Sequence, residues 1–381
     1  MTRRAVALLA VVLAGATASP AAARPLEWRV RDVAPPPAAQ ALSAYESMSP
    51  AQQVGQLFMA GISSTRPSHA AVVALRAHNV GSVILDGNSS LGIVGTSTVV
   101  GQLASGLAID GLRPFVATDQ EGGEVQRLTG QGFSKMPTAL AQGRLSPQVL
   151  QSRANTWGQQ VASAGVNLNL APVADTVPAA HPRQNPPIGR YDREFGYTPS
   201  VVAAHVAAVV RGEELGGVDV TVKHFPGLGR ASGNTDLKQH VTDPTSRHSA
   251  YVAPFQAGVD AGAPFVMVSL ATYPNIDPSH PACFSKTVIT DMLRNDLGFK
   301  GVVISDSFHA KAVRSVPPRT AAIEYFRAGG TILLDTQRQP IYAMEQAVLA
   351  EQASDPTFAK TIRADVLHVL SAKAAAGLLA G

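Results

Sequence analysis

The amino-acid sequence predicts an α/β protein, a single-domain (β/α)8 barrel of the TIM type. Eight apolar runs rich in β-branched residues recur along the chain, and most are separated by enough residues for a helix. This alternation is typical of parallel strands joined by helices, and eight such units within residues 49–381 match a barrel. A doubly wound open sheet is the competing architecture. The eight predicted strands are Leu57–Ile62, Ser82–Asp86, Pro114–Asp119, Val166–Asp175, Val218–His224, Pro264–Ala271, Gly301–Asp306 and Thr331–Asp335.

The first residues have the pattern of an export signal. Arg3 and Arg4 precede the apolar run Ala5–Ala16, and small residues follow as far as Ala21–Ala23. A basic start, a short apolar stretch and an A-x-A site are typical of a cleavable secretory signal, and the apolar run is too short for a stable membrane anchor. We therefore expect residues 1–23 to be a signal peptide and the protein to be secreted or held in the cell envelope.

The next residues predict a connection between this signal and the barrel. Residues 24–48 are rich in Pro and Ala and include three consecutive prolines, which favours a linker or an arm. At Ser49 the pattern changes, because Ser49 and Gln52 have the spacing of a capped helix start with Pro50 in its first turn. We therefore assign the barrel to residues 49–381.

Polar side chains end seven of the eight predicted strands. In a parallel barrel these strand ends meet on one face, where active sites form. One Asp at a strand end would be an ordinary turn residue, but the repetition predicts a functional site. The residues are Asp86, Asp119, Asp175, Lys223 with His224, Ser269, Asp306 and Asp335.

The fifth predicted strand carries the strongest signal for this site. Its mostly apolar run is followed at once by Lys223 and His224, and then by Pro226 and Gly227, which end the strand. Burial of a cation and an imidazole is costly unless a polar partner meets them. A sugar with several hydroxyl groups is such a partner.

Composition and motif spacing argue against other classes of protein. The net charge of +4 falls to +2 without Arg3 and Arg4, and a charge this close to neutral does not indicate nucleic-acid binding. Cys283 is the only cysteine, which rules out an internal disulfide and a Cys-based zinc site. No histidine pair with metal-ligand spacing lies at a strand end, and no GxSxG, P-loop or GxGxxG motif follows a strand. We expect neither a metal nor another cofactor.

Several motifs resemble those of family 3 glycoside hydrolases, and among these the single-domain β-N-acetylhexosaminidases that trim cell-wall muropeptides. The likeness runs from about Ser49 to Asp335. It implies a (β/α)8 barrel, in agreement with the count of strands. The matching segments are Val54–Phe58, Thr118–Gly123, Ala171–Asp175, Ile188–Gly196, Lys223–Gly227 and Ile304–Asp306.

The resemblance implies a role for each matched side chain. Asp306 falls on the nucleophile of the family, so the reaction would pass through a covalent glycosyl-enzyme intermediate and retain the anomeric configuration. The other matched side chains would form a polar cup around the terminal sugar. These are Asp119, Arg127, Arg193, Lys223 and His224.

One loop departs from the pattern of the family. After Lys-His-Phe-Pro-Gly, the hexosaminidase branch carries Asp-Ser-His, in which the His is the acid/base and the Asp orients it. This chain has Asn234-Thr235-Asp236 instead. Three interpretations follow: Asp236 is itself the acid/base, or His240 enters the site, or the chain binds sugar with little or no turnover.

The sequence thus predicts an exported retaining glycosidase that removes a terminal β-linked sugar, with N-acetylglucosamine from cell-wall glycans or muropeptides as the leading substrate. Two alternatives are a sugar-binding or sensing protein of the cell wall and a family 3 β-glucosidase-type activity. We expect a monomer that has a carbohydrate partner, no nucleic-acid partner and no stable membrane anchor.

Overall fold

The computed structural model describes residues 37–379. The predicted signal peptide and the first part of the predicted linker lie outside the described residues. Within the rest of that linker, helix α1 (Pro37–Ser47) packs against the last helix, α11 (Pro356–Ala375). The sequence analysis expected no helix here. The helix forms because a proline is tolerated in the first turn, and the Ala-rich residues that follow favour helical backbone.

Eight parallel strands form the barrel. Each strand pairs with the next along the chain, β8 pairs with β1, and a parallel bridge between Ile304 and Ile332 links β7 to β8. The predicted (β/α)8 architecture is confirmed, since a doubly wound open sheet would not close in this way. The strands are β1 (Phe58–Ser63), β2 (Ser82–Asp86), β3 (Phe115–Thr118), β4 (Leu168–Asn169), β5 (Asp219–Phe225), β6 (Phe265–Val268), β7 (Val302–Ser305) and β8 (Leu333–Asp335).

Helices surround the barrel, and the helix start predicted at Ser49 is confirmed. The hydroxyl of Ser49 accepts a hydrogen bond from the backbone N–H of Gln52, whose side chain accepts one from the Ser49 N–H. No helix within residues 37–379 has the length and apolar character of a membrane span. The remaining helices are α2 (Pro50–Gly55), α3 (His69–Ala77), α4 (Gly92–Leu107), α5 (Ala139–Gln142), α6 (Pro147–Ser163), α7 (Pro199–Leu215), α8 (Ala253–Asp260), a π-helix (Thr287–Asp296), α9 (Pro318–Ala328) and α10 (Arg338–Ser354).

The N-terminal end of the barrel is sealed. Phe115 and Phe265 meet edge to face, with ring centroids 5.2 Å apart. Lys373 of α11 lies at the same end of the barrel. Its ammonium group donates to the side-chain oxygen of Gln56 and the backbone oxygen of Gly81 at 2.6 and 2.7 Å. Burial lowers the pKa of Lys373 to about 7. With this end filled, the carboxyl ends of the strands form the open face.

Candidate active site

A cavity of about 390 Å³ opens at the carboxyl ends of the strands. Its volume is in the range of small-molecule sites. Three of the strand-end residues predicted from sequence, Asp175, Ser269 and Asp335, are not part of its lining. The structure brings to this one cavity all seven side chains that were predicted to be catalytic or to bind the sugar, although they come from segments far apart in the sequence. They are Asp119, Arg127, Arg193, Lys223, His224, Asp236 and Asp306.

A buried network of charges forms one wall of the cavity. Lys223 Nζ lies 2.6 Å from Oδ1 of Asp119 and 2.6 Å from Oε1 of Glu121. Arg193 donates to both carboxylate oxygens of Glu121 at 2.7 Å, a bidentate pair that fixes the guanidinium. Glu121 therefore holds two residues of the polar cup, Lys223 and Arg193, in place, although the sequence analysis assigned it no role.

Opposite charges keep this network ionised despite its burial. Burial alone would raise the pKa of Glu121, but Arg193 and Lys223 hold it well below its usual range. Burial likewise opposes the charge of Lys223, but the carboxylates of Asp119 and Glu121 raise its pKa overall. The side chain of Asp119 stays 23% exposed, so its carboxylate can still accept hydrogen bonds from a ligand in the cavity.

His224 is oriented by a second buried carboxylate. Its Nδ1 lies 2.7 Å from Oδ2 of Asp175, which is fully buried, and Oδ1 of Asp175 accepts a hydrogen bond from the Leu228 N–H at 2.7 Å. A carboxylate is an acceptor, so the proton lies on Nδ1, and Nε2 is left for a ligand. Asp175 marks a strand end in the sequence, and the structure assigns it this orienting contact.

The candidate nucleophile, Asp306, follows directly after β7. Its backbone N–H donates to the carbonyl of Val268 on β6 at 3.0 Å, and its Oδ1 accepts from the Ser307 N–H at 2.7 Å. These two contacts fix the carboxylate at the floor of the cavity. Its other carboxylate oxygen accepts no hydrogen bond from another of residues 37–379 and is thus available to attack a bound sugar.

The loop that carries Asp236 is docked beside the segment that follows the candidate nucleophile. The Ala312 N–H donates to the Thr235 carbonyl at 3.0 Å, and the side-chain oxygen of Asn234 accepts from the Asp236 N–H at 2.8 Å. Although Asp236 is exposed to solvent, loss of hydration beside the cavity raises the pKa of its carboxyl to about 6, and the negative charge of Asp306 adds to the rise. A raised pKa is what a carboxyl acid/base needs.

Both Asp236 and the alternative acid/base, His240, are exposed, but only Asp236 lines the cavity. The geometry therefore favours Asp236 over His240. At the rim, Arg127 donates to the side-chain oxygen of Asn88 at 3.0 Å. No group of three or more His, Cys, Asp or Glu residues within 37–379 could hold a metal ion.

Further polar side chains line the cavity. Asp86 at the end of β2 was among the strand-end residues predicted from sequence, whereas His309, Lys311 and Arg314, in the segment after Asp306, were not. The sequence could have indicated Glu121 as a site residue, since it lies two residues after Asp119 in a motif that matches the family. The segment after Asp306 had none, because its position over the cavity depends on the docked loop.

The charge network predicts a large stability effect for Lys223. We expect Lys223→Met, which roughly keeps the side-chain volume, to lower the free energy of unfolding by about 3–5 kcal/mol, because two partly or fully buried carboxylates lose a shared cation. Urea unfolding followed by circular dichroism measures this change. The matched control is Lys300→Met at an exposed position. A loss no larger than that of the control would contradict the network.

Comparisons with known proteins agree with the fold and the motifs. Residues 38–371 match the model of the glycosyl hydrolase family 3 N-terminal domain. A solved β-N-acetylhexosaminidase from Beutenbergia cavernae DSM 12333 is 45% identical with a TM-score of 0.83, over 86% of this chain and 99% of that one. A solved family 3 β-N-acetylglucosaminidase from Paenibacillus sp. str. FPU-7 is 27% identical with a TM-score of 0.78, over 88% of this chain and 64% of that one.

A curated β-hexosaminidase of Xylella fastidiosa (strain M23) is 40% identical over 225 residues, which are 56% of this chain. The aligned part spans 64% of that relative, slightly less than two thirds of its length. The family model alone matches nearly all of the described residues. The chain therefore belongs to glycoside hydrolase family 3.

Proposed function

We propose that this protein is an exported, retaining glycoside hydrolase that removes terminal β-linked N-acetylglucosamine from glycans derived from the cell wall. One observation carries the proposal: two carboxyl groups with different surroundings, Asp306 and Asp236, line the same cavity as the residues of the polar cup. Retaining glycosidases need two such groups, one as nucleophile and one as acid/base.

In the first step, a carboxylate oxygen of Asp306 attacks the anomeric carbon, and the bond to the leaving oxygen breaks. Asp236 gives its proton to that oxygen, so the leaving group departs as a neutral alcohol. In the second step, Asp236 takes a proton from water, and the resulting hydroxide attacks the anomeric carbon and releases Asp306. Two displacements at one carbon restore the original configuration.

The cup supplies binding and orientation for the sugar. Asp119 accepts hydrogen bonds from sugar hydroxyls, Arg127 at the rim and Arg193 in the wall donate them, and His224 offers Nε2. Because Lys223 and Arg193 are already fixed by Glu121, little side-chain freedom is lost when the sugar binds. This pre-organised wall holds the anomeric carbon against Asp306.

The choice of sugar and compartment is supported by different observations. Two of the reported relatives are named as a β-hexosaminidase and a β-N-acetylhexosaminidase, and the Paenibacillus structure is named as a β-N-acetylglucosaminidase, which supports N-acetylglucosamine as the sugar. The predicted signal peptide at residues 1–23 supports export. The resemblance of the motifs to hexosaminidases that trim cell-wall muropeptides supports the cell wall as the source of the glycan.

A panel of aryl β-glycosides tests the proposal. We expect the purified protein to release phenol faster from the N-acetylglucosaminide than from the glucoside or the xyloside, with the β-anomer as the first product by NMR. Faster release from the glucoside would instead indicate β-glucosidase-type activity. Sugar binding by calorimetry without phenol release would indicate a binding or sensing protein.

A further inference from the structure

We propose that the side chains of Arg230, Asp243 and Thr245 position the carboxyl group of the acid/base by tying together the two ends of its loop. The loop comprises residues 231–242 and carries Asp236. The three side chains are called here the loop clasp. None of them lines the catalytic cavity, so they act through the loop and not on the substrate. The inference rests on the proposed function, in which Asp236 exchanges the proton, and adds the residues that hold it in place.

The hydroxyl of Thr245 is the central contact of the clasp. It accepts a hydrogen bond from Nη2 of Arg230 at 2.9 Å and donates one to Oδ1 of Asp243 at 2.6 Å. Asp243 and Thr245 are each only 1% exposed, so neither can exchange these partners for bulk water. The guanidinium is fixed from a second side, since Cζ of Arg230 lies 3.9 Å from the centroid of the Tyr251 ring. A buried hydroxyl between a donor and an acceptor is costly to remove, because it leaves both without a partner.

The clasp closes the loop at its base. The second carboxylate oxygen of Asp243 accepts a hydrogen bond from the backbone N–H of Arg230 at 2.9 Å, across 13 residues of sequence. One step further into the loop, the Ser232 N–H donates to the Thr242 carbonyl at 2.8 Å. The backbone N–H of Asp243 also donates to the carbonyl of Thr272, in the segment after β6, at 3.1 Å. Both ends of the loop are therefore held against each other and against the barrel.

The position of the acid/base depends on the backbone of this loop. The carboxyl group of Asp236 accepts no hydrogen bond from another of residues 37–379, and only main-chain contacts hold the tip of the loop. These are the hydrogen bonds from the N–H groups of Ala312 and Lys311 to the carbonyls of Thr235 and Asp236, at 3.0 and 3.4 Å. A loop fixed at its tip by two such bonds keeps its geometry only if its base is fixed as well. A displacement of about 1 Å at a reacting group can cost about 10²-fold in rate.

The test uses the leaving group to detect the acid/base. Thr245→Val keeps the shape of the side chain and removes the hydroxyl. We expect it to lower kcat/KM for methyl N-acetyl-β-glucosaminide, a poor leaving group, by about 10²-fold. For the dinitrophenyl glycoside, kcat/KM should change by less than about twofold, because that phenol departs without a proton. Thr245→Ser keeps the hydroxyl and should behave like wild type, as should Thr98→Val at an exposed position on α4.

A double variant tests whether the clasp acts through Asp236. In an Asp236→Ala background, Thr245→Val should add no further loss on the methyl glycoside, because the group that the clasp positions is already absent. Circular dichroism and melting curves establish that each variant is folded. If Thr245→Val does not fold, Arg230→Met provides the same comparison, since it removes the guanidinium and keeps the backbone N–H.

Each other outcome has a definite meaning. Equal losses on the two substrates, no loss on either, or a further loss in the double variant would overturn the clasp and leave the proposed function standing. If Asp236→Ala alone shows no dependence on the leaving group, Asp236 is not the acid/base and the clasp falls with that assignment. If wild type cleaves neither glycoside, the proposed function itself fails.

Discussion

Replacement of Asp306 by Asn is expected to lower kcat/KM on every glycoside substrate by at least about 10³-fold, as the loss of a nucleophile does in other covalent mechanisms. The amide keeps the shape of the side chain and its contact with the Ser307 N–H, but it removes the negative charge that attacks the anomeric carbon. Because the backbone hydrogen bond to Val268 on β6 also survives, the folded structure should be retained. Initial rates with an aryl glycoside and a melting curve measure the two effects separately.

A conservative change elsewhere provides the control. Asp110→Asn alters an exposed carboxylate with a positive φ of 47°, a backbone conformation that Asn also tolerates, far from the lining of the catalytic cavity. It should keep full activity. A slow fluorinated sugar substrate should also add its mass to the peptide that contains Asp306. Rates close to wild type in a folded Asp306→Asn protein would remove Asp306 from the role of nucleophile.

The sequence predicted the barrel because each strand is a short apolar run with a polar end. The least accurate strand was Val166–Asp175, of which only Leu168–Asn169 is regular strand. The physical reason is Pro172, which has no N–H to donate to a ladder. The chain still runs beside β5, where Val173 bridges Lys223.

The predicted site residues came from local motifs, whereas the contacts that organise them are distant in sequence. Glu121 and Arg193 are 72 residues apart, and Asp119 and Lys223 are 104 apart. A motif identifies a residue type at a position, but it does not show which charges will share a buried space.

Replacement of Asp236 by Ala should lower kcat/KM to an extent that depends on the leaving group of the substrate. A poor leaving group needs a proton on its oxygen, so we expect a loss of about 10²–10⁴-fold for alkyl glycosides and disaccharides. An acidic phenol departs without that proton, so the rate at which it is released in the first step should change little. Measured kcat/KM values across aryl glycosides with phenols of increasing pKa should therefore fall more steeply in Asp236→Ala than in wild type.

The dependence on pH follows from the same carboxyl group. The raised pKa of Asp236, about 6, keeps the group protonated at mildly acidic pH. Turnover of poor leaving groups should therefore decline as the pH rises through about 6, and this decline should be absent from Asp236→Ala. Azide should restore part of the second step in the variant, because a small anion attacks the intermediate without help from a base.

Two further variants distinguish a loss of proton transfer by Asp236 from a change in the position of its loop. Leu237→Ala changes the next side chain, which is 68% exposed, and should leave the leaving-group dependence intact. Asn234→Asp with Asp236→His rebuilds the pattern of the hexosaminidase branch, and a gain in N-acetylglucosaminide turnover would indicate that the loop still closes over the site. Equal losses on good and poor leaving groups in Asp236→Ala would instead remove Asp236 from proton transfer. That outcome would favour either His240, which does not line the cavity, or a sugar-binding role with little turnover.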